Sequence, residues 1–93
     1  MNRIYLNNLF DIYQNLLNEH ERQIFMDYYQ DDLSITEIGE NEQVTRTAIH
    51  KTIKSVEKKL ITFEEKLSFY NKKEQIKQAL ENKKYDKILE ILS

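Results

Sequence analysis

The strongest constraint on this chain is a stripe of apolar residues, Ile49, Ile53, Val56, Leu60, Phe63, Leu67 and Tyr70, spaced alternately by four and three positions. A strand alternates faces every two residues and cannot use that spacing. A helix turning about 100° per residue brings all seven to one side. Sustained for three heptads, the pattern predicts a long helix, running to about residue 70, that lays a seam against another helix. Proline is absent, Gly39 is the only glycine, and Leu, Ile, Glu, Lys and Asn dominate. An all-α fold is therefore expected. At 93 residues, the chain is read as a single domain over 1–93 that buries roughly 60–65% of its unfolded surface.

Polar residues punctuate the helices. Leu6, Leu9, Phe10, Tyr13, Leu16 and Leu17 recur at helical spacing and predict a first helix ending near Leu17. Asn18 with Glu21 three positions on reads as a capping box that opens a second helix, burying Ile24, Phe25, Tyr28 and Tyr29 before a turn at Asp31–Asp32. Ser34 and Glu37 repeat the pattern and start a third helix with Ile35 and Ile38 inward, stopping between Glu40 and Glu42. After a turn over about Asn41 to Val44, Thr45 caps the long helix. Asn71 with Glu74 reads as a further cap opening a helical tail over 71–93, with Ile76, Ala79 and Leu80, then a short last helix carrying Tyr85, Ile88, Leu89 and Leu92.

The stretch from Ser34 to Val56 has the spacing of a helix-turn-helix, two short helices whose second member can enter a DNA groove. Its first helix needs a small residue where the two backbones approach, and Gly39 stands there after apolar Ile38. Val44 is expected to plug the space between the helices, with Ile49 and Ile53 anchoring the second from beneath. If Ile49 points inward, Thr47, Lys51, Lys54 and Lys58 point almost directly outward, with Arg46 and His50 at the flanks. Thr45, Arg46, Thr47, His50, Lys51, Lys54 and Lys58 are thus the candidate DNA-binding residues: Thr47, His50 and Lys51 for base edges, Arg46, Lys54 and Lys58 mainly for phosphates.

Charge divides along the chain at the same place. Residues 1–44 carry two Arg against nine Asp and Glu, a net of −7, and residues 45–93 carry twelve Lys and Arg against seven acids, a net of +5. A polyanion would meet a locally basic surface on an acidic body, and Glu37, Glu40 and Glu42 would weaken nonspecific binding. A tight, nonspecific DNA coat protein is not expected. The heptad stripe is most simply core, packed on the N-terminal helix, but it exceeds what that short helix covers. Self-association through the long helix or the tail is the remaining use, so a homodimer is expected.

Catalytic patterns are missing. His20-Glu21 begins like a zinc-protease motif, but Ile24 stands where the second histidine is required, and a single glycine excludes phosphate loops and dinucleotide fingerprints. With no cysteine, disulfides and thiolate metal sites are excluded. No enzyme, cofactor or metal is expected. No apolar run approaches a membrane span and the N-terminus lacks a signal-peptide pattern, so a cytoplasmic protein without membrane insertion is expected.

The spacing Glu37-Ile38-Gly39, Val44-Thr45-Arg46, Ile49 resembles the promoter-reading helix-turn-helix of bacterial sigma factors, and Leu17 to Phe25, leading into Tyr28-Tyr29, resembles the helix preceding it. Over Tyr5 to Leu67, including the FEEKL at Phe63 to Leu67, the chain resembles the YlxM family of small bacterial helix-turn-helix proteins. Where that family tends to have alanine after isoleucine, this chain has Gly39. The resemblance implies binding to double-stranded DNA by fold. Because such proteins are generally encoded beside the signal recognition particle GTPases, it also implies a regulatory or accessory role in that pathway. Docking on a signal recognition particle component without DNA is the alternative. RNA, held through phosphates by the same cations, is a third, without a visible aromatic platform to support it.

Overall fold

The computed structural model describes residues 2–93. Six helices follow one another: α1 (Arg3–Tyr13), α2 (Glu19–Tyr29), α3 (Ile35–Glu42), α4 (Arg46–Leu67), α5 (Phe69–Glu81) and α6 (Tyr85–Leu92), with a 3-10 turn over Gln14–Leu16 after α1. No strand occurs among the described residues, so the fold is all-α.

The caps read from the sequence form at three helix starts. Asn18 accepts from the Glu21 N–H at 2.8 Å while the Glu21 carboxylate accepts from the Asn18 N–H at 3.0 Å. Ser34 and Glu37 exchange the same pair at 3.0 and 3.1 Å, and Thr45 Oγ1 accepts from the Ala48 N–H at 3.1 Å. Each removes orphan donors at a helix N-terminus, where an uncapped end costs about 1 kcal/mol.

The stripe on α4 is shared between two cores. Its first half, Ile49 and Ile53, packs with Ile24 of α2 and Ile38 of α3. Its second half, Val56 and Leu60, packs with Leu6, Leu9, Phe10 and Tyr13 of α1, with Leu17, and with Phe25 of α2. Phe10 and Phe25 stack at 4.3 Å between centroids. The seam is thus consumed within the chain, against three helices rather than one.

Two expectations fail at the end of the stripe. The long helix stops at Leu67 rather than near 70, and α5 begins at Phe69, so Asn71 lies inside a helix instead of capping one. Ser68 adopts the left-handed conformation (φ 56°), which turns the chain sharply enough to start a new helix at once. The donors at that start are met from outside. The Glu64 carboxylate accepts from the Tyr70 and Asn71 N–H groups, each at 3.0 Å, and the Tyr13 hydroxyl accepts from the Phe69 N–H at 3.1 Å while donating to Glu64 at 2.6 Å. A carboxylate one turn before the break does the work assigned to Asn71.

Left-handed residues mark four of the turns: Asp32, Gln43, Ser68 and Lys83 have φ between 55° and 58°. Gly39, the single glycine, is not among them, so composition gave no sign of these turns. At Gln43 and Lys83 the closure is of the Schellman type, the Val44 N–H reaching the Gly39 carbonyl at 2.9 Å and the Lys84 N–H the Ala79 carbonyl at 2.8 Å.

Polar ties lock α4 to α2. Lys59 donates to Glu21, and Tyr29 donates to Glu57, a buried acid that also pairs with Lys54 at 3.2 Å. Burial pushes the Tyr29 phenol well above its ordinary range, and Glu57 pushes it further. At Glu21 burial pushes the carboxyl up, but the Lys59 ammonium, the Asn18 N–H and His20 outweigh it and hold the group below its usual value. A depressed carboxylate stabilises the fold above its ordinary pKa of 4.5 and ceases to do so as pH falls through its folded value. Glu21→Gln keeps an acceptor for the capping box and removes the charge. Its thermal midpoint should lie below wild type at neutral pH and converge on it in acid; a gap independent of pH would contradict the role given to the Lys59 pair.

Candidate nucleic-acid interface

Helix α3, a turn of three residues and the start of α4 form the unit expected from the sequence, with a shorter turn. Asn41 and Glu42 complete α3, Gln43 reverses the chain, and Thr45 already caps α4. Ile38 is fully buried, and Ile49 and Ile53 nearly so, in one core.

Gly39 is required where the two helices meet. A Cβ placed there would lie 2.9 Å from the Val44 carbonyl oxygen, closer than real Cβ contacts, and the opposing atom is backbone. Val44 does not do what was expected of it. Its side chain is 46% exposed, and it is the Val44 backbone, bonded to Gly39 and packed on its Cα, that fills the crossing. A plugging side chain is unnecessary because the glycine lets main chain touch main chain.

The outer face of α4 holds most of what was assigned to it. Arg46, Thr47, His50, Lys51, Lys54 and Lys58 are all exposed. Arg46, Thr47 and His50 line an open depression of about 380 Å³ floored by Ile35 of α3, and Lys54 and Lys58 border a second, of about 430 Å³, one turn further along. The Thr45 hydroxyl is held as the N-cap acceptor, as its type and spacing require, and Lys54 is tied to Glu57, so part of its charge is answered internally. Among the described residues Arg46, Lys51 and Lys58 have no ion-pair partner.

The acidic flank is also partly engaged. Glu37 is turned back onto Ser34, and Glu42 meets His20 of α2 at 3.1 Å, while Glu40 beside the turn has no ion-pair partner among the described residues. Sequence reasoning missed Glu57, although its place four residues after Ile53 and three before Leu60 puts it on the edge of the buried stripe. Among the described residues no cluster of three His, Cys, Asp or Glu could hold a metal, and no helix is long and apolar enough to cross a membrane.

The profile of the UPF0122 family, described as "Putative helix-turn-helix protein, YlxM / p13 like", matches residues 1–91. The chain belongs to this family. A UPF0122 protein of Malacoplasma penetrans is 45% identical over 86 residues, covering 88% of this chain and 80% of the relative. One from Fusobacterium nucleatum is 39% identical over 79 residues, with 85% and 77% covered. One from Oceanobacillus iheyensis is 44% identical over 79 residues, with 85% and 75% covered. The match extends through the tail, past the Tyr5 to Leu67 segment that carries the resemblance in sequence, and the family's description names a helix-turn-helix and no catalytic activity.

Gly39→Val tests the crossing of this UPF0122 chain. The new side chain must displace backbone, at a cost of about 2–3 kcal/mol after a small gain in helix propensity. For a domain this size the thermal midpoint should fall by roughly 10 °C or more. A shift within a degree or two would show that the turn gives way freely.

Proposed function

We propose that this UPF0122 protein binds double-stranded DNA by inserting the first turns of α4 into the major groove. The observation that carries the reading is the row of Arg46, Thr47, His50, Lys51 and Lys58 on one outward face, standing clear of a helix-turn-helix whose inner face is fully committed to core. Thr47, His50 and Lys51 offer a hydroxyl, an imidazole and an ammonium to base edges. Arg46 and Lys58 sit before and after them for phosphates, with Lys54 a weaker contributor because Glu57 shares its charge. Thr45 acts through the cap that fixes the direction of the helix start.

The geometry favours DNA over a protein partner for this face. Protein docking sites centre on buried aromatic or aliphatic anchors, and the exposed stretch from Arg46 to Lys51 offers none, Ile49 being buried. Binding as a regulator, in the setting of the signal recognition particle pathway, extends the reading through the family resemblance. A homodimer would present two such helices to half-sites about 34 Å apart or a multiple of that.

Fluorescence anisotropy on genomic DNA fragments across a salt series tests the proposal. Affinity should fall steeply with salt, and the double variant Arg46→Ala, Lys51→Ala should bind more weakly and flatten the log–log slope by about one unit, near 0.9 for the one phosphate left without Arg46, while the loss of Lys51 reduces discrimination between sequences. Absence of binding at low salt by folded protein, or a double variant that binds as wild type, would reject α4 as the DNA-contacting element.

A further inference from the structure

Glu57 is a buried acid on the edge of the surface assigned to DNA. Its side chain is only 9% exposed, yet it borders the depression that Lys54 and Lys58 share on the outer side of α4. Helical geometry accounts for both facts. At about 100° per residue Glu57 lies some 80° from Ile49, where the buried stripe gives way to the outward face, and about 60° from Lys54 one turn earlier. Both of its oxygens are engaged. Oε2 accepts from the Tyr29 hydroxyl of α2, and Oε1 meets the Lys54 ammonium at 3.2 Å. Tyr29 holds the acid from a fixed position: its ring stacks on Phe25 at 4.6 Å, meets Tyr28 edge-on at 5.0 Å and has the Arg3 guanidinium over it at 5.1 Å. Arg3 is itself engaged by Asp32 and the Tyr28 carbonyl.

We propose that Glu57 limits how tightly the chain holds DNA, by acting as a fixed counter-charge that cancels Lys54 on the surface the phosphates cross. The inference rests on α4 being the DNA-contacting element and concerns the strength of that contact. A cation strengthens binding by releasing a counterion from the duplex. Whether Lys54 stays on Glu57 or turns to a phosphate, the two together bring no net charge to the backbone, so the pair adds no net release. An acid on a mobile side chain could swing away or be screened by salt. Glu57 is buried and held by α2, so neither relief is open to it. Glu65, the other acid of that depression, is exposed and lies eight residues further along α4, about two turns away, where water and salt screen it. Among the described residues Arg46, Lys51 and Lys58 have no ion-pair partner, so Lys54 is the assigned cation that is held back. Phosphate contacts carry no sequence information, and the limit therefore applies to duplexes of every sequence alike.

Fluorescence anisotropy across a salt series, on two duplexes of unrelated sequence, tests it, with circular dichroism confirming that each variant keeps its helix content. Glu57→Gln keeps an acceptor for Tyr29 and removes the charge. It should bind both duplexes about five- to ten-fold more tightly than wild type near 0.1 M salt, and steepen the log–log slope by about 0.9, the increment for one more cation on phosphate. Adding Lys54→Ala to Glu57→Gln should return affinity and slope to near wild type, since the released cation is then gone. Tyr29→Phe loosens the same contact between α2 and α4 but leaves the carboxylate charge, and should show no gain. Glu57→Gln that binds no more tightly than wild type, a gain that survives Lys54→Ala undiminished, or an equal gain in Tyr29→Phe would overturn the proposal and leave α4 as the DNA-contacting element. Wild type that binds neither duplex at low salt would overturn both.

Discussion

Four side chains on one stretch of α4, Ile49, Ile53, Val56 and Leu60, hold the structure together, because through them a single helix packs against α1, α2 and α3 and runs through both cores. At about 1.5–3 kcal/mol for each fully buried aliphatic side chain, they supply roughly 6–12 kcal/mol, comparable to the whole net stability of an ordinary domain. The same helix that organises the interior presents Arg46 to Lys58 outside. Orientation of the outer face is therefore not adjustable. A slip of one residue in the seam would rotate the cations by about 100°, off the outward face and onto the flank of the helix.

Electrostatics sharpen the division seen in the sequence. Both arginines of the acidic half are spent on architecture. Arg3 donates to the Tyr28 carbonyl at 2.6 Å and to Asp32 at 2.7 Å, lying over the Tyr29 ring, and Arg22 donates to the Leu17 carbonyl at 2.6 Å at the end of the 3-10 turn. Lys59 is answered by Glu21, and Lys54 by Glu57. Among the described residues, Arg46 and Lys51, with Lys58 below, are the cations of the outward face of α4 without an ion-pair partner.

Most of the helical plan could be read from the sequence because it was written in local rules. Asn18, Ser34 and Thr45 cap where their types and spacing say they should, and Ile38, Ile49 and Ile53 are buried as their periodicity requires. The misreadings share a cause, which is tertiary partners that local pattern does not reveal. Tyr70 continues the heptad spacing, yet Ser68 breaks the helix before it, and Glu64 and Tyr13 make that break tolerable from elsewhere in the fold. Val44 looked like a core residue from its type, whereas the closeness allowed by Gly39 leaves no gap for it. Glu57 was passed over in the sequence, and its hydrogen bond from Tyr29 is what marks it as part of the interior. At the candidate interface the exposure of the cations was legible; the partial neutralisation of Lys54 was not.

The central claim is that one surface, the outward face of α4 next to the turn, meets DNA while the rest of the molecule only holds it in place. Amide chemical-shift mapping during titration with duplex DNA measures this directly. The account predicts shifts concentrated from Thr45 to Lys58 and at the Ile35 end of α3, with α1, α5 and α6 largely unmoved. Shifts centred on α5 and α6, or none at all, would contradict it.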